Sequence, residues 1–118
     1  MLDIGFFNDS KQPLHRVSVA EDFLFWLAKT DFSAIGEDES TEARIDGDTV
    51  SLPLVLLHQP VRQAFIQFFN EAIVAETRQV LHQLESATPA PERVYRLKQL
   101  IALLDCLKNE DYRYLRRL

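Results

Sequence analysis

The stretch that most limits the possible folds is VRQAFIQFFNEAIVAETRQVLHQL, Val61 to Leu84. Val61, Phe65, Phe68, Ala72, Ala75 and the pair Val80/Leu81 recur along one side of a helix. Arg62, Gln63, Gln67, Asn70, Glu71, Thr77, Arg78 and Gln79 mark the other. At the α-helical rise this element is about 36 Å long. Pro60 fits its first turn, where a missing N–H costs nothing. ESATPAPE then breaks the chain, with Thr88 as the expected N-cap and Pro89 and Pro91 in the first turn of a second helix. That helix, RVYRLKQLIALLDCLKN, carries a stripe of Val94, Leu97, Leu100, Ile101, Leu104 and Leu107. The short connection makes the two helices antiparallel neighbours. The tail EDYRYLRRL either extends the last helix or hangs free.

The first half reads differently. LDIGFF alternates with period two, NDSKQP is turn chemistry, and LHRVSV alternates again, so residues 2–19 form a hairpin. Ser18 and Glu21 have capping-box spacing before the aromatic-rich helix AEDFLFWLAKT. Ala20, Phe23, Leu24 and Leu27 share one face of it, and Phe25 and Trp26 lie off that face. DFSAIGEDEST is a loop. Asp46-Gly47 predicts a tight two-residue turn for a second hairpin, because both positions favour positive φ. LPLVLLHQP fits either a buried strand or a short helix, and Pro53 permits both.

Charge is unevenly spread over the 118 residues. Residues 1–59 carry net −7 and residues 60–118 net +2, within a total of −5. Seven of the carboxylates lie between Asp31 and Asp48, opposed there only by Arg44. An acidic half argues against nucleic acid or an anionic membrane as partner and suits a basic protein. The 47% apolar content is enough for a core without metals or disulfides. Cys106 is the single cysteine, so no intrachain disulfide forms and a reducing, cytoplasmic home is expected. Neither a secretion signal nor a membrane-length apolar run is present.

Catalytic and metal motifs are missing at the level of spacing. A calcium loop beginning at Asp46 would need a glutamate where Leu57 stands. His15, His58 and His82 lack zinc-ligand spacing to one another or to Cys106. Cys106 lies among leucines, which makes a thiol inert; only a base such as His82 facing it would change that. The three glycines, Gly5, Gly36 and Gly47, cannot write a phosphate-binding loop. No catalytic residue, metal or cofactor is expected.

LDIGFFNDSKQPLHRVSVAEDFLFWL, the first third of the chain, reads as strand, polar turn, strand and aromatic helix. In architecture and charge it resembles the opening of small acidic immunity proteins of bacterial toxin–immunity systems. That resemblance implies a non-enzymatic, cytoplasmic inhibitor of a cognate toxin domain, often a basic nuclease; no family residue carries over by position. Complementary charge would set the on-rate and partner choice, and a few aromatic anchors the affinity.

The expectation is therefore one α+β domain over residues 1–118, with an acidic strand, helix and hairpin half and a helical half. Two hairpins make a small antiparallel sheet, covered by the early helix and the C-terminal helical pair. Partner contacts are expected at Glu37, Asp38, Glu39, Glu42, Asp46 and Asp48, with Tyr112 and Tyr114 as anchors on an exposed tail, and Trp26 if it lies outside the core. The competing expectation is an adaptor or assembly subunit that docks through its long helices as a homodimer.

Overall fold

The computed structural model describes residues 2–117. Two hairpins form where the turn chemistry places them: β1 (Leu2–Phe7) with β2 (Pro13–Val19), and β3 (Glu39–Ile45) with β4 (Asp48–Leu56). Asp46 and Gly47 take φ of 52° and 83°, as the tight turn requires. Residues 52–56 are strand, which resolves the ambiguous apolar run. Pro53 is tolerated because the fifth strand reaches only Val55 and Leu56, so β4 has a single neighbour there.

The strands of the two hairpins do not pair directly with each other. Tyr114–Arg116, expected to extend a helix or hang free, is β5, and the sheet order is β2-β1-β5-β4-β3, antiparallel throughout. Leu115 is fully enclosed between Phe6 and Val55. The sheet also coils on itself. The Arg44 N–H, on the far edge, donates to the Lys11 carbonyl in the β1–β2 turn at 3.0 Å.

Coiling gives the sheet two apolar faces. Ile4, Phe6, Val17, Val19, Val55 and Leu115 face the helices. Phe7, Ala43, Leu52 and Leu54 form a smaller cluster inside the curl, with Tyr114 and Ile45 against it. That is why adjacent Phe6 and Phe7 are both buried, one on each face.

Helix α1 (Glu21–Ala28) follows β2 directly. The expected capping box is not made. Ala20 is the N-cap, with no side-chain bond, and the Ser18 hydroxyl donates instead to Asp3 Oδ1 across the hairpin at 2.6 Å. Phe23 and Leu27 are buried, Leu24 and Trp26 pack against the core, and Phe25 is exposed. A single 3-10 turn, Asp31–Ala34, then sets Phe32 among Phe65, Phe68 and Phe69.

Helices α2 (Gln59–Leu84) and α3 (Pro91–Lys108) are the antiparallel pair. Pro60 stands in the first turn of α2. Thr88 does not cap α3; Ala90 does, with Pro91 as the first helical residue. The buried stripe of α2 is rotated from the expected one. It runs through Arg62, Phe65, Phe69 and Glu76, leaving Ala75 and Leu81 in solvent. On α3, Leu100, Leu103, Leu104, Cys106 and Leu107 are buried, whereas Val94 and Ile101 are exposed.

Candidate functional site

The polar groups with the most contacts hold the fold together. Arg62, placed by periodicity on the solvent side, is buried. Its guanidinium donates to Leu107 O at 2.7 Å, Asn109 O at 3.1 Å and Tyr112 O. It closes the C-terminal end of α3, whose last carbonyls lack helical partners. Burial, with Arg113 nearby, lowers its pKa. Further along the pair, Glu76 accepts from Arg96 at 3.3 Å and Arg93 at 3.5 Å, and Arg96 lies over the Trp26 ring at 4.2 Å. Trp26 is thus engaged within the fold.

Arg117 is only 7% exposed. It donates to Phe32 O at 2.5 Å, to Ile35 O at 2.7 Å and to the Asp38 carboxylate at 3.1 Å. Asp38, expected at a partner interface, is therefore part of the internal bracing. The tyrosines move inward as well. Tyr112 is half-buried against Phe6 and stacks on His15, and burial raises its pKa. Tyr114 is half-buried in the central strand against the inner cluster. Neither stands on an exposed tail.

Glu37, Glu39, Glu42, Asp46 and Asp48 remain exposed. They are spread along the second hairpin and the segment that leads into it. Glu37 precedes β3, Asp46 is at the tip, and Glu39 and Asp48 lie on the inward face. Glu42, opposite Ser51, is on the other face with Arg44, opposite Thr49. Strand β3 is a sheet edge; its Arg44 N–H is taken by the Lys11 carbonyl, and the strand's charge discourages pairing with its own kind.

His82 and Cys106 are not brought together. Arg62 bonds the carbonyl of Leu107, and His82 lies twenty residues further along α2, about 30 Å at the helical rise. His82 is exposed, 3.6 Å from Glu85. Burial, with a contribution from Asp105, pushes the Cys106 thiol up to about 11, which leaves little thiolate at neutral pH. Among the described residues, no three His, Cys, Asp or Glu side chains cluster to hold a metal, and no helix is long and apolar enough to cross a membrane.

Sequence reasoning missed Arg62, Glu76 and Arg117. Local pattern marks all three as solvent groups, and their partners are far away in the chain. Comparison with protein-family models, curated protein sequences and solved structures gave no match.

Proposed function

We propose that this chain is a non-catalytic, protein-binding module whose acidic hairpin docks on a basic surface. In the narrower form of the proposal it is a cytoplasmic inhibitor of immunity type that covers the phosphate-binding cleft of a toxin nuclease. The observation that carries the reading is the presentation of the second hairpin. Five exposed carboxylates lie on or beside an edge strand, and the bond from Arg117 to Asp38 fixes its root. A preformed charged edge steers encounter with a basic partner and loses little conformational entropy on docking. A single buried free thiol suits a reducing compartment.

The test neutralises Glu37, Glu39 and Glu42 to Gln and Asp46 and Asp48 to Asn. Asp38 is kept, because it braces the fold; Asn at position 46 still accepts positive φ. The expected result is capture of one basic protein at low salt, released at about 0.5 M salt and not retained by the variant. Equal capture by both forms would refute it.

A second reading has its own support. Val74, Leu81 and Leu84 on α2 are each about half exposed (49%, 58% and 56%), which suits an assembly subunit docking through that helix. A mass that rises with concentration, and stays monomeric after Leu81→Lys, would favour it.

A further inference from the structure

The helical pair is covered on one side only. On α2, Phe68 meets Phe32, and on α3 the Tyr95 hydroxyl accepts from the Ala20 N–H at 2.8 Å. The 3-10 turn and the start of α1 thus cover one flank of each helix. At about 100° per residue, Val74, Leu81 and Leu84 on α2 and Val94 and Ile101 on α3 stand on the other flank. All five are exposed, from 37% at Val94 to 58% at Leu81. Within each helix they keep heptad spacing, the pattern of a seam that packs on a further helix. Because the helices are antiparallel, the two rows fall on the same side of the pair, away from the sheet. Three contacts set the level of one helix against the other: Arg62 with Leu107 O, Glu76 with Arg96, and the Ala90 N–H with Gln83. Between them, Val74 lies level with Leu97 and Leu81 with Ala90, and Glu71 lies within a turn of Lys98.

We infer that this face is the interface of a homodimer, in which two helical pairs stack into a four-helix bundle about a two-fold axis parallel to the helices. Such an axis preserves level, so α2 of each copy lies across from α3 of the other. Val74 then packs on Leu97 of the second copy, and Leu81 on its small Ala90. Charge complementarity selects a second copy as the occupant. Glu71 and Lys98 lie on the two outer edges of the face, so each meets the other's counterpart, and symmetry makes the pair twice. Within one chain the Glu71 carboxylate accepts only from Gln67, at 3.3 Å, and Lys98 is exposed. No like charges oppose one another: Arg78 faces Pro91, Glu85 lies at the tip of the pair, and Asp105 faces Gln67. The area is sufficient. The 18 residues of α3 are about 27 Å long and the helices about 10 Å apart, which gives about 1,000 Å² buried over both copies. That is the low end for a specific interface and suits a micromolar dimer. The inference rests on the assembly reading and supplies its partner. It leaves the acidic hairpin of each copy free.

The experiment is sedimentation equilibrium of the full chain from about 1 μM to about 1 mM, over which the mass should double, with a dissociation constant on the order of 10–100 μM. Glu71→Lys and Lys98→Glu should each weaken the dimer by about tenfold, and the two together should restore the parent's affinity. Ile101→Asp, at an exposed position, should leave a monomer whose unfolding midpoint stays near that of the parent. Phe25→Asp, at an exposed aromatic outside the face, should dimerise as the parent does. A monomer at every concentration would overturn this interface together with the assembly reading. A dimer dispersed by Leu81→Lys but indifferent to Ile101→Asp and to the single charge changes would overturn this interface alone and leave the assembly reading standing. Failure of the double exchange to restore affinity would overturn the two-fold arrangement.

Discussion

The Arg117 guanidinium lies 3.1 Å from the Asp38 carboxylate and also donates to the carbonyls of Phe32 and Ile35. One side chain thereby ties the chain after β5 to the 3-10 turn and to the root of the second hairpin. Removing it leaves a half-buried carboxylate and two carbonyls without their donor. Arg117→Ala should lower the unfolding free energy by about 3 kcal/mol. Arg117→Lys should recover only part, because an ammonium cannot reach all three acceptors in one plane. Urea unfolding of the three forms checks this, and equal midpoints would refute it.

Two glycines with positive φ should respond very differently to alanine. At Gly47 (φ 83°) a Cβ meets nothing within 4 Å, so only backbone strain counts, about 1 kcal/mol. At Gly36 (φ 66°) a Cβ would come within 2.7 Å of Val55 Cγ1 and 3.1 Å of Val61 Cγ1. Gly36→Ala should therefore cost about 2–4 kcal/mol. Thermal or urea unfolding that ranks the two the other way would show that the loop before β3 is placed differently.

The Cys106 thiol makes stability depend on alkaline pH. Its value in the fold is about 11, above the ordinary 9.0, so the folded state holds the proton more tightly than the unfolded chain. The contribution is fully present below pH 9 and is lost as pH rises to about 11, on the order of 2–3 kcal/mol in all. Tyr112, also shifted upward, acts with the same sign. Cys106→Ala should flatten the fall in stability between pH 9 and 11 relative to the parent. Thiol labelling at pH 8 should be slow in the native protein and fast in urea; fast native labelling would place the thiol at the surface.

Glu76 joins the distal parts of the helical pair through Arg93 and Arg96. Both arginines are about one-third exposed and regain water when the carboxylate is lost. Glu76→Ala should therefore cost only about 1–2 kcal/mol. Its effect should be local. Hydrogen exchange should quicken in residues 76–96 before it changes in β1 or β5.

What could be read from sequence was what local chemistry determines. The first hairpin, the Asp46-Gly47 turn and the two long helices follow from period and turn residues. Tyr114–Arg116 did not, because a three-residue strand is too short to show a period; its conformation is fixed by the strands on either side. Ser18 and Glu21 carry a capping signature, but Asp3, fifteen residues away, takes the hydroxyl. The α2 stripe was misplaced because a buried Arg62 and Glu76 look polar until their distant acceptors and donors are known. The acidic segment was legible as charge. That Asp38 belongs to the interior was not, since its partner is seventy-nine residues away.

The pairing of β1 with β5 brings Gly5 opposite Arg116, more than a hundred positions apart in the chain. The first hairpin gains its inner neighbour only when this longest of loops has closed; the second meets β5 across the shorter separation from Val55 to Leu115. Closure entropy must be met before the central ladder adds any stability. Each hairpin alone is marginal in water, so the strand that joins them sets the pace of folding. Refolding should therefore be slow for a chain with so much helix, with the helical pair forming early and the sheet completed in one late, cooperative event.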